Sequence, residues 1–213
     1  MMPRPHLVVD PGAVTAADLR PAAEWLAQGG IVAFPTDTLY GLAVDPASDA
    51  AVRALFDLKG RSARVALPLI AASARQVEAA CGPFGDVARR LSSAWWPGPL
   101  SIVLDAPSHI SVAVHGGSRS IAVRVPAHPV ALALVEAFGA MVTATSANVS
   151  GEPPAHTAGD LAAIAADPRV LVVDGGPTAG GLPSTIVDAR VRPPVLVRDG
   201  AIAWARVLES LQE

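Results

Sequence analysis

The sequence predicts an α/β fold built on an open sheet whose strands run in mixed directions. Short apolar runs of strand length alternate with amphipathic helix patterns along the chain, and Gly and Pro residues mark the junctions between them. No linker, repeat or low-complexity segment divides the 213 residues. Because a chain of this length can enclose one substantial core, we expect a single domain over residues 1–213.

The predicted helices follow from the spacing of apolar residues and from signals at the helix ends. The clearest helix covers residues 49–59, because Ser48 is an N-cap residue, Val52 and Leu55 share one face, and Gly60 ends the pattern. The other predicted helices cover residues 16–28, 73–80, 84–94, 128–138 and 159–166 and a C-terminal segment from about 202.

The predicted strands are short apolar segments bounded by Pro, Gly or polar residues. They cover residues 31–34, 67–72, 101–104, 120–126, 140–144, 170–173, 184–188 and 194–198. Arg124 lies between Val123 and Val125 in one of them, and its side chain therefore faces opposite to both. Alternation alone leaves two interpretations of Arg124 open, one in which it faces water and one in which it faces a polar pocket.

Composition excludes several classes of protein. No apolar run approaches the roughly 18 to 20 residues of a membrane helix, and the first residues lack the apolar region of a signal peptide. The single cysteine, Cys81, cannot form an internal disulfide. We therefore expect a cytoplasmic protein without membrane contact. The net charge of −3 argues against a broad nucleic-acid surface but not against a local cationic pocket.

Common catalytic and metal-binding motifs are missing from the sequence. There is no GxxxxGK[ST] phosphate loop, GxGxxG, GxSxG, HExxH or CxxC motif. The five histidines lie in Pro- and Gly-rich segments without the spacing of metal ligands. We therefore expect no metal site made by the protein.

Polar residues cluster instead at the predicted strand ends, where open α/β sheets place their ligands. The polar residues there are Thr36, Asp37, Thr38, Ser146, Asn148, Ser184 and Thr185, and the cations beside them are Lys59, Arg61, Arg124 and Arg198. Hydroxyl and amide groups combined with several cations suit a polyanion and a small polar molecule better than a covalent nucleophile.

Four residue types occur only once in the chain, and three of these single residues lie in the polar segments: Lys59, Tyr40 and Asn148. Simpler interpretations stay open at this point. Lys59 at a helix C-terminus is also expected of a solvated charge that complements the helix dipole. The Thr-Asp-Thr segment is also typical of a plain turn. Residues 175–188 are also typical of a long flexible connection.

Seven segments place these residues in a known pattern. In order, GGIVAFPTDTLYGLAVD, KGR, WPGPLSIVL, IAVRVPAHP, ATSANVSG, GLPSTIVD and VLVRDGAI resemble the YrdC/Sua5 family from about residue 14 to 203. The K-x-R and S-x-N elements of that family correspond to Lys59, Arg61, Ser146 and Asn148. The length is similar to that of the short, single-domain members. The resemblance implies a twisted α/β sheet with a concave cationic face.

The resemblance also implies an enzyme, a nucleotidyltransferase that combines L-threonine, bicarbonate and ATP. Its products are threonylcarbamoyl-AMP and pyrophosphate, and the adenylate serves N6-threonylcarbamoyladenosine modification of tRNA at position 37. ATP is then a substrate, and Mg²⁺ arrives with the nucleotide. The expected partners are a threonylcarbamoyl-transferase complex that receives the adenylate and the tRNA itself.

The family's site residues carry over to individual positions of this sequence. The catalytic set is Lys59, Arg61, Ser146 and Asn148. The ATP-binding set is Lys59, Arg61, Ser120, Ser146, the backbone near Pro154, and Arg198. The threonine-binding set is Thr38, Arg124, Ala144 and Ser184. The sequence departs from the family pattern at Ser62, Val65, Ile70 and Asp199.

Two other functions fit the same residues. A concave cationic face also suits an RNA-binding module, although the acidic net charge and the single lysine count against it as the main role. A carbamoyl-adenylate-forming enzyme is the other alternative, as in the related domain of hydrogenase-maturation proteins. Those proteins are larger and carry zinc-finger-like cysteines, whereas this chain has one cysteine.

Overall fold

The computed structural model of the chain describes residues 6–60 and 66–212. Its strands are β1 (His6–Val8), β2 (Ile31–Pro35), β3 (Tyr40–Ala43), β4 (Leu69–Ile70), β5 (Leu100–Asp105), β6 (Ser120–Arg124), β7 (Val142–Thr143), β8 (Thr145–Ser146), β9 (Val170–Asp174), β10 (Thr185–Asp188) and β11 (Val195–Arg198). Its helices are α1 (Arg20–Ala27), α2 (Asp49–Lys59), α3 (Ala74–Cys81), α4 (Asp86–Trp95), α5 (Val112–His115), α6 (Pro129–Phe138) and α7 (Trp204–Glu209).

The strands form two mixed sheets. The first sheet has the order β1-β9-β2-β3-β8, and the second has the order β11-β10-β5-β6-β4-β7. In the first sheet β9 is parallel to β1 and β2, whereas β3 is antiparallel to β2 and β8. The predicted α/β class with mixed strand directions is confirmed, but the open sheet that we expected is divided into two.

The division occurs at Ala144, the end of the segment that the sequence predicts as a strand at 140–144. Val142–Thr143 pairs with β4 in the second sheet, and Thr145–Ser146 pairs with β3 in the first. Between them, the Ala144 amide donates to the Pro68 carbonyl at 2.9 Å. Local apolar pattern predicts that this segment is extended, but it does not predict which strands become its neighbours.

Thr143 joins the two sheets at this crossing. It is fully buried, and its Oγ1 accepts the Val44 amide at 2.9 Å and donates to the Leu42 carbonyl at 3.3 Å. The Thr143 amide also donates to the Val44 carbonyl at 3.2 Å. A strand of the second sheet is thus hydrogen-bonded to the end of β3 in the first.

The helix α2 matches its prediction at both ends. The Ser48 hydroxyl accepts the Ala51 amide at 3.2 Å, and Gly60 has φ 59°, the left-handed conformation that ends many helices. Val52, Leu55 and Phe56 are buried on one face. Lys59 is therefore the last residue of the helix, as expected.

Two predicted helices differ from the structure. α1 begins at Arg20 instead of residue 16, because Pro21 in its first turn has no amide hydrogen and opposes helix before it. Residues 159–166 form two 3₁₀ turns, Ala158–Leu161 and Ile164–Ala166. At the first of them Thr157 and Asp160 exchange hydrogen bonds in a capping box, which satisfies the amides of a short turn.

The second sheet has one apolar face and one face that is left for a ligand. Ile102, Val123 and Val187 point into the hydrophobic core. Their neighbours along the strands point the other way and line a cavity: Ser101, Val103, Ala122, Arg124, Ile186 and Asp188. This follows from the period of two along a strand. In the described part of the chain no helix is long and apolar enough to cross a membrane.

We expect Thr143→Val to lower the free energy of unfolding by about 1 to 3 kcal/mol. Valine keeps the shape of threonine but leaves the buried Val44 amide without the Oγ1 acceptor. Urea unfolding measures the change. Val8→Thr, the reverse exchange, is the control, because Val8 is exposed and exposed substitutions usually change stability by less than about 0.5 kcal/mol. Equal, small effects of the two substitutions would show that Thr143 does not join the sheets energetically.

Candidate active site

A cavity of about 790 Å³ lies against the polar face of the second sheet. The β2–β3 turn of the first sheet contributes Thr36 and Thr38 to its wall. The predicted site residues that line it are Thr38, Ser120, Arg124, Ala144, Ser146, Pro154, Asn148, Ser184 and Arg198. The structure thus brings together nine residues that are spread over most of the sequence. Arg61, like Ser62 and Val65, lies outside the described residues.

Lys59 is buried behind the cavity wall. The residue is 2% exposed. Its Nζ donates to the Ser146 carbonyl at 2.5 Å, the Asn148 carbonyl at 2.8 Å and the Asn148 Oδ1 at 3.1 Å. The interpretation of Lys59 as a solvated helix-end charge is therefore wrong. Its ammonium holds the S-x-N segment, and whether it also contacts a phosphate stays a prediction.

The side chain of Asn148 is fixed by hydrogen bonds on both of its polar atoms. Its Oδ1 accepts from Lys59 and also from the Ser146 hydroxyl at 2.6 Å. Its Nδ2 donates to the Glu152 carbonyl at 2.6 Å. Between the two, the Ala147 amide donates to the Tyr40 carbonyl at 2.8 Å. The segment is held by a helix end on one side and by β3 on the other.

Arg124 is buried, and the interpretation in which it faces water is wrong. Its side chain is 9% exposed, and its Nη1 contacts Asp37 Oδ1 at 2.7 Å and Oδ2 at 3.0 Å. Alternation along β6 correctly placed it opposite to Val123 and Val125. The structure adds that the opposite side is the cavity.

The Thr-Asp-Thr segment is both a turn and a part of the cavity wall. The Thr36 hydroxyl donates to the Leu39 carbonyl at 2.7 Å and accepts the amides of Thr38 and Leu39, each at 3.2 Å. The Thr36 amide also donates to the Leu39 carbonyl at 3.1 Å. These bonds close the β2–β3 turn and direct the Thr38 hydroxyl to within 3.2 Å of the Thr36 hydroxyl.

A second guanidinium lies across the cavity from Arg124. Arg198 Nη2 donates to the Ser184 carbonyl at 2.7 Å and to its hydroxyl at 3.1 Å. Burial, and after it the positive charge of Arg124, lowers the pKa of Arg198. The Ser184 hydroxyl also lies 2.9 Å from that of Ser101. Two cations facing one cavity are an arrangement that suits anionic groups of a ligand.

A scan against known families matches the Sua5/YciO/YrdC model, described as telomere recombination, over residues 24–200. The chain belongs to the Sua5/YciO/YrdC family. The resemblance given by the seven sequence segments is thereby confirmed.

Several members of this family are similar over most of the chain. The threonylcarbamoyl-AMP synthase of Pyrococcus abyssi is 38% identical over 195 residues, which cover 92% of this chain and 57% of that protein. The Bacillus subtilis protein of the same name is 38% identical over 192 residues, 87% of this chain and 54% of its own. A crystal structure of P. abyssi Sua5 complexed with L-threonine matches with TM-score 0.85 and 34% identity over 96% of this chain and 59% of that chain. The chain thus spans a little more than half the length of these relatives.

Some residues of this family member's cavity were missed by the sequence analysis. Ser101 belongs to a predicted strand, and its position opposite to Ile102 was a signal that it faces away from the core. Ser118, His156 and Arg190 also line the cavity, and no local pattern indicates this for residues in loops or at a strand's end. Within the described ranges, no group of three or more His, Cys, Asp or Glu side chains is arranged to hold a metal ion.

The only tyrosine anchors a loop of the cavity wall. The Tyr40 hydroxyl donates to the Gly176 carbonyl at 2.7 Å, and Gly176, with φ 81°, begins the segment that leads to Gly181 and Pro183 at the cavity. Burial, followed by the negative charge of Asp174, raises the pKa of Tyr40 to about 12. The phenol is therefore neutral at physiological pH, and its role is to hold the loop.

The ionisation of Tyr40 tests this anchoring directly, because tyrosinate absorbance reports one residue. We expect the folded protein to titrate near pH 12 and the urea-unfolded protein near about 10. A raised pKa in the folded state means that the contribution to stability is complete below pH 10 and is lost as the pH rises through about 12. A midpoint near 10, with native circular dichroism, would contradict the buried hydrogen bond.

Proposed function

We propose that this chain is an L-threonylcarbamoyladenylate synthase, a nucleotidyltransferase that uses L-threonine, bicarbonate and ATP. The observation that supports the proposal most is that one cavity is lined by members of both predicted substrate sets. The threonine set at the cavity is Thr38, Arg124, Ala144 and Ser184, and the ATP set is Ser120, Ser146, Pro154 and Arg198. The similarity to relatives named threonylcarbamoyl-AMP synthase adds to it.

The reaction needs positioning and charge stabilisation more than it needs a protein nucleophile. The amine of L-threonine forms a bond to CO₂ supplied by bicarbonate, which gives a carbamate. A carbamate oxygen then bonds to the α-phosphorus of ATP while the bond to the leaving pyrophosphate breaks. The proposed role of Arg124 is to orient the threonine carboxylate by a charge-assisted contact. Arg198 faces the same space and is assigned to the nucleotide.

The S-x-N segment supplies fixed polar groups for the same step. Lys59 holds the backbone carbonyls of Ser146 and Asn148. The Asn148 side chain is held by Lys59, by the Ser146 hydroxyl and by the Glu152 carbonyl, so the segment is already ordered before substrates bind. Such preorganised groups stabilise developing charge at little cost in reorganisation. We assign the catalytic role to Lys59, Arg61, Ser146 and Asn148, with Lys59 contributing its charge from behind the wall.

The proposal extends to the nucleotide's metal ion and to the later fate of the product. Mg²⁺ enters with ATP and shares the charge of the leaving pyrophosphate. The adenylate passes to a threonylcarbamoyl-transferase complex for modification of tRNA. A tRNA contact is assigned to the concave cationic face that the family resemblance implies. We place this chemistry in the cytoplasm and in one domain over residues 1–213.

Pyrophosphate release from ATP tests the function. We expect release only when L-threonine and bicarbonate are both present, with L-serine weaker and L-valine weakest. Serine lacks one methyl group, which is typically worth about 1 to 3 kcal/mol, whereas valine leaves the polar groups that bind the hydroxyl unpaired, and such sites discriminate by roughly 10⁴. All three amino acids are compared in one buffer.

Three results would contradict this. Valine equal to or above serine would show that the pocket does not bind the threonine hydroxyl. Salt-dependent RNA binding without any pyrophosphate release would favour the RNA-binding module. Release that is triggered by carbamoyl phosphate instead of threonine and bicarbonate would favour the carbamoyl-adenylate enzyme.

We expect Lys59→Arg to lose most of the activity, by roughly 10²-fold or more. The ammonium is a compact donor with three acceptors at 2.5 to 3.1 Å, and the wider planar guanidinium cannot replace it without moving the S-x-N segment. Small displacements of positioning groups cost up to about 10²-fold in rate.

Arg53→Lys is the matched control for this substitution. Arg53 lies on the same helix, α2, and is exposed, so the reverse exchange should leave turnover within about twofold of the unmodified chain. Near-normal turnover of Lys59→Arg would show that the single lysine has no special role.

A further inference from the structure

Asp37 differs from its neighbours in the Thr-Asp-Thr turn. Thr36 and Thr38 line the cavity, whereas Asp37 does not. Its side chain is 16% exposed, and its carboxylate instead forms an ion pair with the guanidinium of Arg124. We propose that Asp37 is a positioning residue that orients Arg124 toward the carboxylate of the amino-acid substrate. This inference rests on the proposed function and adds to it a residue that acts through another.

The geometry of the ion pair leaves one edge of the guanidinium for the ligand. Both carboxylate oxygens of Asp37 contact the same nitrogen, Nη1 of Arg124, at 2.7 and 3.0 Å. Among the described residues no hydrogen bond is made by Nε or Nη2 of Arg124. These two nitrogens form the side-on edge of the guanidinium, which presents two parallel N–H groups to a carboxylate. Asp37 thus occupies the corner that a bidentate ligand does not need.

The carboxylate of Asp37 is itself held in place. Its turn is closed by the hydrogen bonds of Thr36 to Thr38 and Leu39, and Pro35 pairs with Tyr40 on either side of the turn. Asp37 lies in the turn that joins β2 and β3 of the first sheet, and Arg124 lies in β6 of the second, so the ion pair also joins the two sheets. A fixed anchor on one sheet therefore sets the direction of a long side chain on the other.

Charge balance gives the same result. Arg124 is nearly buried, and Arg198 faces it across the cavity. Without Asp37, the positive charge of Arg198 would repel the Arg124 guanidinium. Among the described residues, no other carboxylate forms an ion pair with Arg124. The side chain would then have no reason to keep the orientation that presents its Nε–Nη2 edge. A substrate carboxylate would have to impose that orientation from its own binding energy.

Asp37→Asn tests the assignment, because asparagine keeps the size of the side chain and removes its charge. Binding of L-threonine and of ATP is measured separately by calorimetry. We expect the threonine Kd to rise by at least about tenfold, since misplacing a positioning group costs up to roughly 10²-fold, and the ATP Kd to stay within about twofold. Asp37→Glu, which keeps the charge, should recover part of the loss.

A control and a double variant separate positioning from a structural role. Asp167→Asn breaks an Arg–Asp pair of similar length, 2.6 Å to Arg169, that is not part of the cavity wall, and it should leave both Kd values unchanged. In the Arg124→Lys background, Asp37→Asn should weaken threonine binding by less than it does alone, because the group that it orients is gone.

The outcomes are distinct. Unchanged threonine binding by Asp37→Asn, or equal weakening of threonine and ATP binding, would overturn the positioning role. Should Asp37→Asn fail to fold, the same comparison is made with Asp37→Glu, where a loss of ATP binding equal to that of threonine overturns it. If the unmodified chain does not bind L-threonine, the proposed function falls and the inference falls with it.

Discussion

The site depends on one buried ammonium group. Lys59 ends α2 and places its charge against three oxygens of Ser146 and Asn148. Burying a charge costs several kcal/mol unless polar groups replace its hydration. Moving these oxygens away would therefore destabilise the folded protein by a similar amount. The S-x-N segment is therefore fixed by an electrostatic requirement of the helix end. Through Ala147 and Tyr40 the same requirement extends into β3.

The cavity lies between one face of the second sheet and the β2–β3 turn of the first. The second sheet buries one face in the core, while the other carries small and polar side chains such as Ser101, Ala122 and Arg124. The first sheet adds Thr36 and Thr38 of its β2–β3 turn to the cavity wall. Thr143 and the Asp37–Arg124 pair hold the two sheets together on either side of this gap. Substrate contacts and inter-sheet contacts are consequently made by neighbouring groups.

Local features were predictable from the sequence and long-range ones were not. Ser48 and Gly60 defined α2 because capping is decided within a few residues, and alternation correctly gave the face of Arg124. β3 was missed because Gly41 interrupts the short apolar run of Tyr40–Ala43, and glycine is uncommon inside strands. The partner of Arg124 lies 87 positions away, and the division into two sheets depends on pairings of similar separation. The family resemblance named most of the cavity residues, whereas Ser101 required knowing where β5 and β10 meet.

The burial of Lys59 also determines how the chain responds to reagents that acylate amines. Lysine side chains are the usual targets of such reagents on protein surfaces, and this chain has a single one. Lys59 is 2% exposed and its Nζ donates to three oxygens, so a reagent in solution does not reach its amine. The folded surface therefore offers no accessible lysine side chain for acylation or amine-directed cross-linking, and the positive charge that it presents is carried by guanidinium groups.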